Sequence, residues 1–203
     1  MRAVRHQSLG GAQRPAPEDF AQSTPVSIYQ VAGDPLVGAN WRETELGHYS
    51  VPQNAEPVDL DSDGDLDIVV GSRGENRLLF FENAGGGISG FREHAIGIYG
   101  ARAAGFNLEY ADLNQDGRLD IIGATSSGLS WLEQPERVDD AWNAHFIGTF
   151  APDSMTGLEV ADINGDGSLD VIAGSYSRGP REGDGDVDKD DPLGRIGWFE
   201  NPG

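Results

Sequence analysis

The 203-residue sequence has no cysteine, two methionines and four histidines. Without thiols, disulfides and thiolate metal sites are excluded. Basic residues are also scarce: 14 Lys and Arg stand against 34 Asp and Glu, a formal charge of −20. Nucleic acid is excluded as a partner, because phosphates are gripped by clustered Lys and Arg. No run approaches the roughly 18 apolar residues of a membrane span, and no stretch sustains a helical period of apolar side chains. Residues 1–17 hold Arg2, Arg5 and Arg14 but lack the apolar core of a signal peptide. Three explanations stay open: export through a segment absent from this sequence, a longer precursor, or no export.

Glycine and aspartate are what the chain has in excess. The 29 Gly and 11 Pro predict many turns joining short strands. Much of the acid is concentrated in three segments that superimpose. These are Asp59-Leu-Asp-Ser-Asp-Gly-Asp-Leu-Asp67, Asp112-Leu-Asn-Gln-Asp-Gly-Arg-Leu-Asp120 and Asp162-Ile-Asn-Gly-Asp-Gly-Ser-Leu-Asp170, starting 53 and 50 residues apart. Each runs directly into a β-branched or aliphatic stretch: Ile68-Val-Val, Ile121-Ile and Val171-Ile. The repeat extends on both sides. Trp41, Phe91 and Trp142 open matching upstream strands, and Phe80-Phe-Glu-Asn83, Trp131-Leu-Glu-Gln134 and Trp198-Phe-Glu-Asn201 close matching downstream ones. Several short strands at a period near 50 residues predict an all-β, propeller-type repeat.

The loops have the chemistry of a hard-cation site. Calcium takes about six to eight oxygen ligands. Asp or Asn stands at position 3 and Asp at positions 1, 5 and 9, so the predicted ligands are Asp59, Asp61, Asp63 and Asp67; Asp112, Asn114, Asp116 and Asp120; and Asp162, Asn164, Asp166 and Asp170. Position 7 varies as Asp65, Arg118 and Ser168, which fits a main-chain carbonyl ligand indifferent to its side chain. Position 6 is glycine each time, where a sharp turn needs unusual backbone angles. An EF-hand is rejected: position 12 is Val70, Gly123 or Ala173 rather than Glu, and strands follow instead of helices. Transition metals would prefer His or Cys, and Mg²⁺ fits an all-protein oxygen cage less well. One ion per loop, about three Ca²⁺, is expected, coupled to folding by the repulsion it relieves.

The loops, their β exits and the aromatic-Glu-Asn endings resemble the FG-GAP/VCBS repeat family of calcium-binding β-propellers, over about residues 38–203. The resemblance implies one blade per repeat, calcium bracing its turn, and a secreted or surface protein active in adhesion or glycan contact. Family propellers have about six to eight blades; three are visible here. The expectation is three four-stranded blades of about 50 residues each, at about 38–90, 91–141 and 142–203, within a segment 25–203 that follows a flexible tail, 1–24. Pro25–Ala32 is expected to add one strand, and 178–195 to be an acidic surface insertion. Three blades cannot close a ring, which needs about four. A homo-oligomer, two chains completing six blades, or blades supplied from elsewhere is therefore expected.

The function expected is an extracellular or cell-surface binding, adhesion or structural module with a protein or glycan ligand. The rival is a calcium-dependent polysaccharide lyase or hydrolase, for which no convergent acid and base are evident. Glu56, Glu109 and Glu159 each precede a loop by three residues; they face a common channel if that strand lines the propeller axis, and are otherwise solvated edge residues repeated by duplication. His94 and His145 match in repeats two and three, which favours a structural role. Trp131, Trp142 and Trp198 are expected to pack between blades.

Overall fold

The computed structural model describes residues 24–151, 153–176 and 194–203. The expected tail, Thr24 excepted, and nearly all of the acidic insertion lie outside the described residues. The first two strands are β1 (Thr24–Val31) and β2 (Trp41–Tyr49), an antiparallel pair forming the first sheet. The second sheet holds β3 (Pro52–Val58), β4 (Asp67–Ser72), β5 (Arg77–Asn83) and β6 (Phe91–Ile96), in that order. The third contains β8 (Glu109–Ala111), β9 (Asp120–Thr125), β10 (Gly128–Glu133) and β11 (Trp142–Gly148), with the short β7 (Ile98–Tyr99) added in parallel beside β11. The fourth is β12 (Ser154–Ala161), β13 (Asp170–Tyr176) and β14 (Ile196–Phe199). Among the described residues, helix is confined to two single 3-10 turns, Gly38–Asn40 and Gly87–Gly90. No helix among the described residues is long and apolar enough to cross a membrane.

Successive residues of a strand point to opposite faces of its sheet, and here both faces of the middle sheets are covered. Val70, Leu79 and Phe81 pack with Val26 and Tyr49 of the first sheet. Their neighbours Val69, Leu78 and Phe80 pack the other way, against Ile121, Leu132 and Trp142 of the third. Ile122 and Leu129 then turn toward Val171 and Ala173 of the fourth. This is why β4, β5 and β9 read as unbroken apolar runs rather than alternating ones. Three apolar layers thus hold four sheets in sequence order. Between the second and third sheets the backbones come so close that a Cβ on Gly71 would lie 2.3 Å from the Gly105 carbonyl oxygen.

Two expectations need correction. In place of three equal four-stranded units, the described residues form sheets of two, four, five and three strands. The sheets also run one strand out of phase with units beginning at 38, 91 and 142. β6 pairs with β5 and β11 with β10, so the strand that opens each sequence unit completes the preceding sheet. A repeat period carries no phase, and connection length does not supply it: only residues 50–51 join β2 to β3 and 149–153 join β11 to β12, yet β2 pairs with β1 and β11 with β10. Ala84–Gly90 separates β5 from β6, closed by the Ala84 N–H on the Gly90 carbonyl.

Trp142 is the largest fully buried side chain. Trp142→Ala is expected to lower unfolding free energy by about 3–5 kcal/mol, read from urea unfolding followed by circular dichroism. The exposed Tyr99 changed to Ala should shift it by no more than about 0.5 kcal/mol.

Candidate metal centre

Each Asp-rich loop joins the first strand of its sheet to the second: β3 to β4, β8 to β9 and β12 to β13. Gly64, Gly117 and Gly167 adopt φ of +98°, +88° and +92° with open space where a Cβ would stand, so the backbone angle alone selects glycine there. Position 4 is left-handed too, at Ser62, Gln115 and Gly165. The two turns let short carboxylate and amide side chains accept from the loop's own N–H groups. Asp61 Oδ1 accepts from Asp63 at 3.2 Å and Asp63 Oδ1 from Asp65 at 3.0 Å. Asp112 Oδ2 accepts from Gly117 at 2.8 Å, and Asp162 Oδ2 from Gly167 at 3.0 Å.

Position 9 forms the floor of every loop. Asp67, Asp120 and Asp170 are fully buried or nearly so. One oxygen of each accepts from the N–H at position 2, on Leu60, Leu113 and Ile163, at 3.1–3.2 Å. The other accepts from the N–H of Asn83, Gln134 and Asn201, at or just past the end of the third strand, at 2.8–2.9 Å. A carboxylate oxygen has two acceptor sites, so each keeps capacity for a second partner. The sheets are then tied to one another, because Gln134 Nε2 donates to the Leu60 carbonyl at 2.7 Å and Asn201 Nδ2 to the Leu113 carbonyl at 3.0 Å. The sequence signal for these partners was the Glu-Asn/Gln ending that recurs in all three units.

The three loops differ in charge balance. In the first, ligand oxygens of Asp59, Asp61 and Asp63 all lie within 4.8 Å of one another. Asp59 Oδ1 and Asp65 Oδ1 are buried without any hydrogen-bond partner. Burial, then the charges of Asp67 and Asp63, pushes the Asp61 carboxyl above its ordinary range. Burial and the Asp63, Asp67 and Asp59 charges do the same to Asp65. In the second loop the Arg118 guanidinium pairs with Asp116, and Asn114 donates its amide to the same carboxylate at 2.9 Å. In the third, the Ser168 N–H and then the Asn164 amide hold Asp166 below its ordinary range. Predicted ligands at positions 1, 3, 5 and 9 are thus drawn into each loop, and the first is the one left with unsatisfied oxygens.

Other predicted residues also find their places. Glu56, Glu109 and Glu159 sit on the first strands of three sheets, and Glu109 is raised by burial, then by the charges of Glu159 and Glu56. His94 stacks on Phe80 at 4.8 Å and meets Glu82 at 2.7 Å; His145 stacks on Trp131 at 4.4 Å and meets Glu133 at 2.8 Å. Trp142 is buried as expected, but Trp198 is 52% exposed. Beside the second loop, Leu113, Asn114, Trp131, Phe199 and Glu200 line an open cleft of about 620 Å³ in which Glu200 is the one ionisable side chain.

A family model described as an FG-GAP-like repeat matches residues 59–123 and again residues 112–173. No curated protein and no solved structure matches the chain.

The two kinds of loop aspartate separate by substitution. Asp120→Ala strands two N–H groups and should cost about 1–3 kcal/mol for each. Asp61→Asn should act in the opposite sense in chelator. A carboxyl raised on folding favours the folded state in acid and loses that contribution as pH climbs through the raised value. Thermal melts should therefore show Asp61→Asn above the parent at neutral pH and level with it in acid.

Proposed function

The chain belongs to the FG-GAP-like repeat family, and from that premise we propose that it is a calcium-binding β-repeat module that works by binding rather than by catalysis. The observation carrying this is the first loop, where three carboxylates converge and two buried oxygens lack any partner. Buried polar atoms cost about 1–3 kcal/mol each when unsatisfied, and crowded carboxylates add repulsion. A hard cation relieves both. Asp59, Asp61, Asp63, Asp67 and the Asp65 carbonyl would hold it. Asp112, Asn114, Asp116, Asp120 and the Arg118 carbonyl are the corresponding set in the second loop. Asp162, Asn164, Asp166, Asp170 and the Ser168 carbonyl are that of the third. What calcium supplies there is charge neutralisation and bracing of the bend between the first two strands of a sheet.

Stacked sheets joined in chain order are the arrangement of a propeller segment, and we read each full sheet as a blade. Binding is favoured over turnover by the cleft beside Trp131, which offers an aromatic platform and amide groups but no acid–base pair. A protein or glycan ligand suits that surface. Extracellular modules bind calcium with Kd on the order of 10⁻⁴–10⁻³ M, so a site of this class is filled outside the cell, which is the location proposed.

Calorimetric titration with Ca²⁺ should show uptake in that affinity range and weaker heats with Mg²⁺. Free calcium tenfold above Kd should raise stability by about 1.4 kcal/mol per occupied site. Asp61→Asn with Asp63→Asn should abolish the first-loop component. No uptake, together with melting indifferent to chelator, would end the proposal.

A further inference from the structure

The outward face of the fourth sheet repeats the composition of two faces that are buried elsewhere in the molecule. In the second sheet the side facing the third presents Leu60, Val69, Leu78 and Phe80, all at most 1% exposed. The matching side of the third sheet presents Leu113, Ile122 and Leu129, buried against the fourth, with Trp131 partly buried beside them at the edge of the cleft. The equivalent positions of the fourth are Ile163, Ile172, Ile196 and Trp198. The register is the same in all three, with Val69 opposite Phe80, Ile122 opposite Trp131 and Ile172 opposite Trp198. Here, however, Ile163 is 41%, Ile196 85% and Trp198 52% exposed.

A contiguous apolar face of this kind marks an interaction site, and the two buried copies show what covers it. Each forward face is closed by the rear face of the following sheet. Among the described sheets one rear face remains open, at the other end of the stack. There Tyr29, Val31 and Trp41 share one side of the first sheet, Val31 lying opposite Trp41, at 58%, 43% and 44% exposure. We propose that the forward face of the fourth sheet docks on the rear face of the first sheet in a second copy of the chain, head to tail. The contact is heterologous: two different patches meet, and successive copies either close a ring or extend. With a charge of −20 per chain, the copies repel at long range, so association strengthens as salt shortens the Debye length to about 8 Å near physiological ionic strength. The proposal rests on packing and stands whether or not calcium binds.

Light scattering coupled to size exclusion, at micromolar chain and physiological salt with calcium, reads the assembly. The parent should be a dimer or larger. Ile196→Asp on the forward face and Tyr29→Asp on the rear face should each weaken association by roughly 100-fold and leave a monomer. Both positions are exposed in the single chain, so both variants should keep the parent's circular dichroism. Mixing the two variants should restore a dimer, because one intact forward face then meets one intact rear face. A monomeric parent overturns the proposal, whatever else the face binds. Tyr29→Asp remaining associated overturns it as well, since forward faces would then be pairing with each other.

Discussion

A buried aspartate at the end of each Asp-rich loop is the constraint from which the architecture follows. Its two oxygens accept N–H groups from opposite ends of one sheet's hydrogen-bonded core: the loop entering the second strand and the residue leaving the third. Loop shape and strand order are therefore set by one side chain. The amide of the residue leaving the third strand then reaches the loop carbonyl of the preceding sheet. Asp67, Leu60, Gln134, Asp120, Leu113, Asn201 and Asp170 make a single polar line across three sheets. The apolar layers supply most of the burial, and the polar line adds to them fixed partners at named positions.

That line also separates scaffold from site. Position 9 is satisfied by the protein itself, whereas positions 1, 3, 5 and 7 of the first loop carry like charges, and positions 1 and 7 each keep an unpartnered buried oxygen. The second loop carries a counter-charge in Arg118, and the third uses amide and main-chain donors. One motif thus spans a range of electrostatic need, greatest where all five odd positions are aspartate.

Much of this was legible beforehand. Period, all-β class, the loop residues and the glycine at position 6 follow from residue type and spacing alone. The phase of the sheets did not, because a tandem repeat reads identically from any starting strand, and the two-residue link from β2 to β3 leaves those strands in different sheets. The left-handed angle at position 4 was hidden behind Ser62 and Gln115, which carry no marker as glycine does. Arg118 was read through its carbonyl, and its side chain's pairing with Asp116 depends on geometry that spacing does not convey. The exposure of Trp198 was unreadable for a different reason: its residue type matches Phe80 and Trp131, and only the absence of a neighbouring sheet among the described residues sets it apart.

The strand-phase offset has a mechanical consequence. Because the opening strand of every duplicated unit is stitched into the sheet before it, no unit owns a complete set of backbone partners. Melting one would strip an edge from its predecessor and a polar tie from its successor. Solenoid modules that keep their strands to themselves can fray one at a time. Interleaved ones share their losses, so this stack should open as a single cooperative body.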